Sequence, residues 1–286
     1  MQKITPFLWF NGNVEDAINF YTTLFINSSI VSTYQQGGKV FTGTFNLMGS
    51  QFYALDGGPL FNFSPANSFF VEMANENELD ALWAGLSDGG MALMPMGKYP
   101  FSEKFGWIKD KFGVSWQLSL SGNTSKISPF LMFVNQFHGK AEEAMQFYVS
   151  TFANSSVTNL DHYKNGEMGK EGTLKKGSFI LDGVGFMAID SGFPHEFNFT
   201  PAVSYFVSCN TQEEIDYYWN RFIEGGSDDQ CGWLTDKFGV TWQIIPTILS
   251  ELLFEKDPVK AKRVMDAMMK MKKLIIQDLI DAYKAE

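Results

Sequence analysis

From Ile4 to Phe10 the chain runs almost unbroken through apolar, β-prone residues, and Asn11-Gly12-Asn13 ends the run with a turn signal. Between Val14 and Phe25 the rhythm changes: Val14, Ala17, Ile18, Tyr21, Leu24 and Phe25 keep helical spacing. Asn13 is the candidate N-cap, and Glu15 and Asp16 suit the positive end of a helix dipole. Strands are then predicted over Ile30–Tyr34, Val40–Leu47 and Gln51–Leu55, with turns at Gly37-Gly38 and Met48-Gly49-Ser50. A second unit follows: a strand Ser68–Met73, a helix Glu76–Ser87 ended by Asp88-Gly89-Gly90, and strands Met91–Met96, Gly106–Lys109 and Val114–Leu120. The last two strands turn at Asp110-Lys111-Phe112-Gly113. The pattern is therefore βαβββ twice, and two such units can curl around one shared concavity.

The whole pattern then repeats. Ile4-Thr5-Pro6-Phe7-Leu8 returns as Ile127-Ser128-Pro129-Phe130-Leu131, and Phe20-Tyr21 as Phe147-Tyr148. Phe61-Asn62-Phe63-Ser64-Pro65-Ala66 returns as Phe197-Asn198-Phe199-Thr200-Pro201-Ala202. Gly106-Trp107 and Lys111-Phe112-Gly113-Val114-Ser115-Trp116-Gln117 return as Gly232-Trp233 and Lys237-Phe238-Gly239-Val240-Thr241-Trp242-Gln243. Blocks in the same order with varying offsets mark a tandem duplication with insertions in loops. We expect domains at 1–121 and 126–247, joined by the short polar Ser121–Ser125, and a helical extension over 248–286. The second copy is about ten residues shorter between Gly225 and Gly232, too short for the hairpin of the first copy. Its cavity rim should be more open, or closed by something else. In the extension, Asp257-Pro258 signals a helix start, and Val264, Met268, Met271, Ile275 and Leu279 form one apolar stripe. That helix either docks on the body or makes a dimer contact.

A chain of 286 residues with 28 Phe can bury two sizeable cores, and the surplus of rings points to cavities or interfaces. A net charge of −10 opposes binding to nucleic acid or to anionic membranes. The one basic cluster, Lys270 to Lys273, is read as a solvated helix face. Two cysteines without a Cys-x-x-Cys pair, no signal core and no membrane-length apolar run lead us to expect a cytoplasmic protein. There is no P-loop and no G-x-G-x-x-G, and Gly183-Val184-Gly185 lies in a hairpin setting, so no S-adenosylmethionine-binding motif is present.

The blocks Ile-Thr-Pro-Phe-Leu-Trp-Phe, Phe-Tyr, Leu55-Asp56-Gly57-Gly58 and Lys-Phe-Gly-Val-Ser-Trp-Gln together resemble the PhnB-like family. That family is catalogued as demethylubiquinone methyltransferase within the vicinal-oxygen-chelate superfamily of glyoxalases, dioxygenases and bleomycin-resistance proteins. The resemblance implies an α+β fold of paired βαβββ modules with curved mixed sheets. It does not fix the function. Superfamily enzymes hold a divalent metal with His, Gln or Glu from the first strand, the strand opening the second unit and the last strand. Carried over, those positions fall near Pro6 and Pro129, at Ser68 and Ser204, and at Gln117 and Gln243. That donor set is poor for a transition metal, so we expect no metal and no other cofactor.

The candidate ligand-binding residues are accordingly Trp9, Asp56, Ser68, Trp107 and Gln117 in the first copy and Asp190, Ser204, Trp233 and Gln243 in the second. Each has a plainer reading. Asp56 and Asp190 suit turn formers at Gly57-Gly58 and Ser191-Gly192. The tryptophans suit ordinary core, with Trp107 and Trp233 the better candidates for a stacking wall. The glutamines suit core amides bonded to backbone. Of His138, His162 and His195, none recurs between copies, and His195 lies in the loop facing the cavity mouth. No catalytic residue stands out. The reading is a metal-free protein that holds an aromatic or amphipathic small molecule. The alternatives are a metal-dependent enzyme with a non-standard site, a methyltransferase, or a scaffold without a ligand. With pairing satisfied internally the chain would be a monomer; otherwise it would be a homodimer.

Overall fold

A computed structural model describes residues 2–254 and 257–285. Met1, Glu255, Lys256 and Glu286, at the start of the expected first domain and within the expected extension, lie outside the described residues. The first repeat contains β1 (Ile4–Phe10), α1 (Val14–Leu24), β2 (Ser29–Gln36), β3 (Lys39–Leu47), β4 (Ser50–Asp56), β5 (Asn67–Met73), α2 (Glu76–Ser87), β6 (Met91–Tyr99), β7 (Ser102–Lys109) and β8 (Ser115–Leu120). The second contains β9 (Lys126–Phe133), α3 (Ala141–Thr151), β10 (Ser156–His162), β11 (Leu174–Leu181), β12 (Val184–Asp190), β13 (Val203–Cys209), α4 (Gln212–Ile223), β14 (Ser227–Asp228), β15 (Trp233–Thr235) and β16 (Thr241–Pro246). Three short helices follow: α5 (Ile248–Leu253), α6 (Pro258–Met268) and α7 (Ile276–Lys284). The βαβββ pattern is present in all four modules.

The chain divides into two compact bodies, Pro6–Val203 and Met1–Thr5 with Ser204–Glu286. Within the first body lies an eight-stranded sheet in the order β10-β11-β12-β9-β5-β8-β7-β6. Its middle is the antiparallel pair β5–β9, with Ser68 opposite Phe130 and Phe70 opposite Ser128. This corrects one expectation. The sheet does not close around one repeat; it joins the second module of the first repeat to the first module of the second.

What unites the two modules of the first repeat is the helix side. Trp116 of β8 meets Tyr21 and Phe25 of α1, with ring centroids 5.3 and 4.9 Å apart, and Phe52 of β4 meets Phe69 of β5 at 5.1 Å. The Asp110 carboxylate ties the same elements. Its Oδ2 accepts from Tyr21 Oη at 2.7 Å and Trp116 Nε1 at 2.8 Å, and its Oδ1 accepts from the amides of Phe112 and Val114. Burial pushes this carboxyl above the usual carboxylate range, outweighing the four donors that favour its charge. The hairpin turn predicted here is therefore also a buried anchor.

Local signals fared unevenly. Asn75 caps α2 through its side chain, whereas Asn13 occupies the N-cap of α1 with no side-chain cap bond, and its Oδ1 is buried without a partner among the described residues. In the second body the predicted single terminal helix is broken. Asp257 caps α6 as expected, but the chain leaves the helix at Met268 and re-enters at Ile276. Lys270–Lys273 is consequently not a helix face. Lys272 and Lys273 pair with Asp228 and Asp216, and the carbonyls of Met271 and Lys272 accept from the amides of Cys231 and Gly232. Among the described residues no helix is long and apolar enough to cross a membrane.

Candidate ligand site

Alternation along the strands sorts the predicted residues by face. In the first body, Phe69 and Trp116 point to the helix side, so Ser68, Phe70 and Gln117 point to the other, which we call the inner face. Pro129 stands opposite Phe69 and shares its face. The first-strand metal position is expected near Pro129; Pro129 itself faces the helix side, and its neighbours Ser128 and Phe130 hold the inner positions. In a strand a step of one residue reverses the face.

Across the inner face Gln117 is flanked by Trp107 on β7 and Phe70 on β5. Gln117 Nε2 donates to Ser68 Oγ at 2.9 Å, with the two residues 5% and 1% exposed. Oε1 of Gln117 accepts no bond from the described residues. Exchanging the amide ends would let Ser68 donate instead and leave Nε2 unpaired, so either assignment presents one polar amide end to the face. Trp107 Nε1 donates to Ser115 Oγ at 2.8 Å, which turns the ring's apolar flank toward its neighbours. Those neighbours are Phe105, Phe130, Met132 and Met187, with Phe70 stacked on Phe130 at 6.0 Å. Partly buried Met94, Tyr99, Ile189 and Phe197 edge the cluster. His195 stacks on Phe197 at 4.5 Å, and its Nε2 is 2.7 Å from Ser191 Oγ. Burial holds this imidazole below its usual range, and its Nε2 shares one hydrogen bond with the Ser191 hydroxyl.

The remaining first-body candidates have other occupations. Trp9 lies against Gly57, where an added Cβ would strike its ring, and donates from Nε1 to the Gly58 carbonyl at 2.8 Å. Asp56 accepts from the Gly12 amide at 2.6 Å. Asp190, 1% exposed, accepts from the amides of Gly139, Ala141 and Leu174. Both carboxylates thus brace the entry to α1 or α3, rather than the glycines that follow them.

The second body reproduces the polar pair: Gln243 Nε2 donates to Ser204 Oγ at 2.8 Å, and Trp233 stands opposite Gln243. The inner face here carries Ile245 and Phe206, and these pack against Leu249, Leu252, Val264 and Leu279 of the terminal helices and Leu274 between α6 and α7. The tail therefore takes the place of the missing hairpin.

The resemblance to metal-dependent superfamily members makes the donor set testable. At the three positions in the first body the inner face offers Ser128 or Phe130, Ser68 and Gln117, all neutral. Among the described residues no group of three His, Cys, Asp or Glu side chains converges. Such a set does not fit a divalent transition metal.

No curated protein matches the chain. The PhnB protein of Bacillus cereus is 47% identical over 42% of this chain and 100% of its own, with a TM-score of 0.40. A protein from Staphylococcus aureus is 40% identical over 42% of this chain and 97% of its own, with a TM-score of 0.19. Glyoxalase I from Zea mays, only 8% identical, covers 84% of this chain and 92% of its own with a TM-score of 0.56, which shows the shared fold. Residues 2–119 and 125–245 each match the family described as 3-demethylubiquinone-9 3-methyltransferase, so the chain belongs to that family as two tandem copies.

Proposed function

We propose that the protein binds an aromatic or amphipathic small molecule on the inner face of the first body, without a metal. The observation that carries this is the Ser68–Gln117 pair: a buried amide with one end unpaired, set among Trp107, Phe70, Phe130 and Met132. Apolar rings supply the contact area, and a single polar pair fixes orientation. A quinone-like ring, the kind of group named in the family's description, has the flat face and carbonyl oxygens such a site would recognise. Methyl transfer itself finds less support, because Gly183-Val184 forms the β11–β12 hairpin rather than a strand-to-helix turn that holds a nucleotide.

The test is tryptophan fluorescence during titration with flat aromatics and short-chain quinones. Saturable quenching is expected, weakened about fivefold in Gln117→Leu, the net worth of one hydrogen bond at roughly 1 kcal/mol. No response from any ring-bearing compound would sink the proposal. Elemental analysis of protein purified without chelators or an affinity tag should find no stoichiometric transition metal.

A further inference from the structure

The two inner faces carry the same polar pair, yet only one of them is covered by a segment with no counterpart in the other repeat. In the first repeat β6 and β7 form a long hairpin, and Leu93, Met94, Phe105 and Trp107 pack within the inner-face cluster. In the second, β14 and β15 are two and three residues long. The amides of Cys231 and Gly232, which lead into β15, donate to the carbonyls of Met271 and Lys272 at 2.8 and 2.7 Å. The stretch between α6 and α7 thus supplies the edge contact that the missing hairpin cannot. Leu274, fully buried, packs over Gly232, where a Cβ would lie 3.3 Å from its Cδ1 and 2.8 Å from the Ile244 carbonyl oxygen.

The fit is apolar over a face that is partly polar. Ser208, on the same side of β13 as Ser204 and Phe206, has its Oγ buried with no hydrogen-bond partner among the described residues, and so does Thr5 Oγ1, the repeat equivalent of Ser128. Hydroxyls sealed without partners cost free energy that a ligand with polar atoms would return.

We infer that the C-terminal segment is a built-in occupant of the second inner face. The first inner face is then the chain's one ligand site, and a second appears only when the segment is unfastened. This rests on the proposed ligand reading for the first face, and the experiment separates the two. The full-length chain is titrated calorimetrically with the amphipathic ring probe 1-anilinonaphthalene-8-sulfonate, alongside Leu274→Glu. The double variant Lys272→Glu/Lys273→Glu, which breaks only the surface ion pairs, is the reserve should Leu274→Glu fail to fold. Circular dichroism verifies folding.

One site in the wild type and two in the unfastened variant are expected, the new one lost on adding Gln243→Leu and the original one on adding Gln117→Leu. Two sites in the wild type, or equal numbers in wild type and variant, would overturn the inference. With one site in both, sensitive to Gln117→Leu, the first-face reading stands while the inference fails. With no site in the wild type but one Gln243-dependent site in the variant, the inference stands while the first-face reading fails. Hydrogen exchange on the wild type adds a check independent of any variant: probe-induced protection of β13 and β16 would also overturn the occupant role.

Discussion

Two aspartates show how much a residue's partners matter beyond its type. Asp110 was legible only as a turn former, because its spacing to Phe112 and Val114 is local. Its bond to Tyr21, 89 positions away, appears only when α1 packs on β8, whereas its bond to Trp116 closes within the β7–β8 hairpin. Replacing it with Asn leaves an NH₂ facing two donors, and we expect a loss of about 1–3 kcal/mol in chemical denaturation. The pH dependence has a definite sign. The folded carboxyl sits above its unfolded value, near 4. The protonated group therefore stabilises the fold fully below about pH 4, and that contribution is lost as pH rises through the folded value. The stability difference between wild type and Asp110→Asn should shrink over that window; a difference that grew with pH would contradict the burial argument.

At the scale of elements, Asp190 links the loop before α3 to the start of β11 through three backbone donors, whereas Asp56 holds one at the corresponding entry to α1. Unsatisfied buried amides cost more than exposed ones, which water can satisfy. Asp190→Ala should therefore lose about 3 kcal/mol and Asp56→Ala roughly 1 kcal/mol, read as midpoint shifts in urea. Equal losses would mean that burial does not set the difference. The terminal helices teach a related lesson. A continuous apolar stripe from Val264 to Leu279 predicts one helix, yet the chain breaks after Met268 so that Met271 and Lys272 can serve Cys231 and Gly232. Unmet edge amides in the short hairpin outweigh helical continuity.

For the molecule as a whole, the β5–β9 pair joins strands on either side of the Ser121–Ser125 linker. Cutting the linker with an engineered protease site after Gly122 should leave the two pieces co-eluting as one species in size exclusion under native conditions. Pieces that separate freely would mean that each repeat completes its own sheet.

The sequence by itself determined the duplication, the four βαβββ modules, the family and the neutral character of the residues at Ser68, Gln117, Ser204 and Gln243. Those are properties of local periodicity and of residue chemistry, and both survive whatever the modules do to one another. It also marked the second copy's shortened hairpin. Tertiary structure alone decided which modules share a sheet, because edge pairing is a long-range choice between near-identical strands. It decided which strand positions face inward, since a shift of one residue reverses them, as at Pro129. It set Asp190 to bracing a helix entry, paired Gln117 with Ser68, and laid the tail over Phe206 and Ile245. Each of these depends on which surfaces meet across long sequence separations, and no local pattern encodes that.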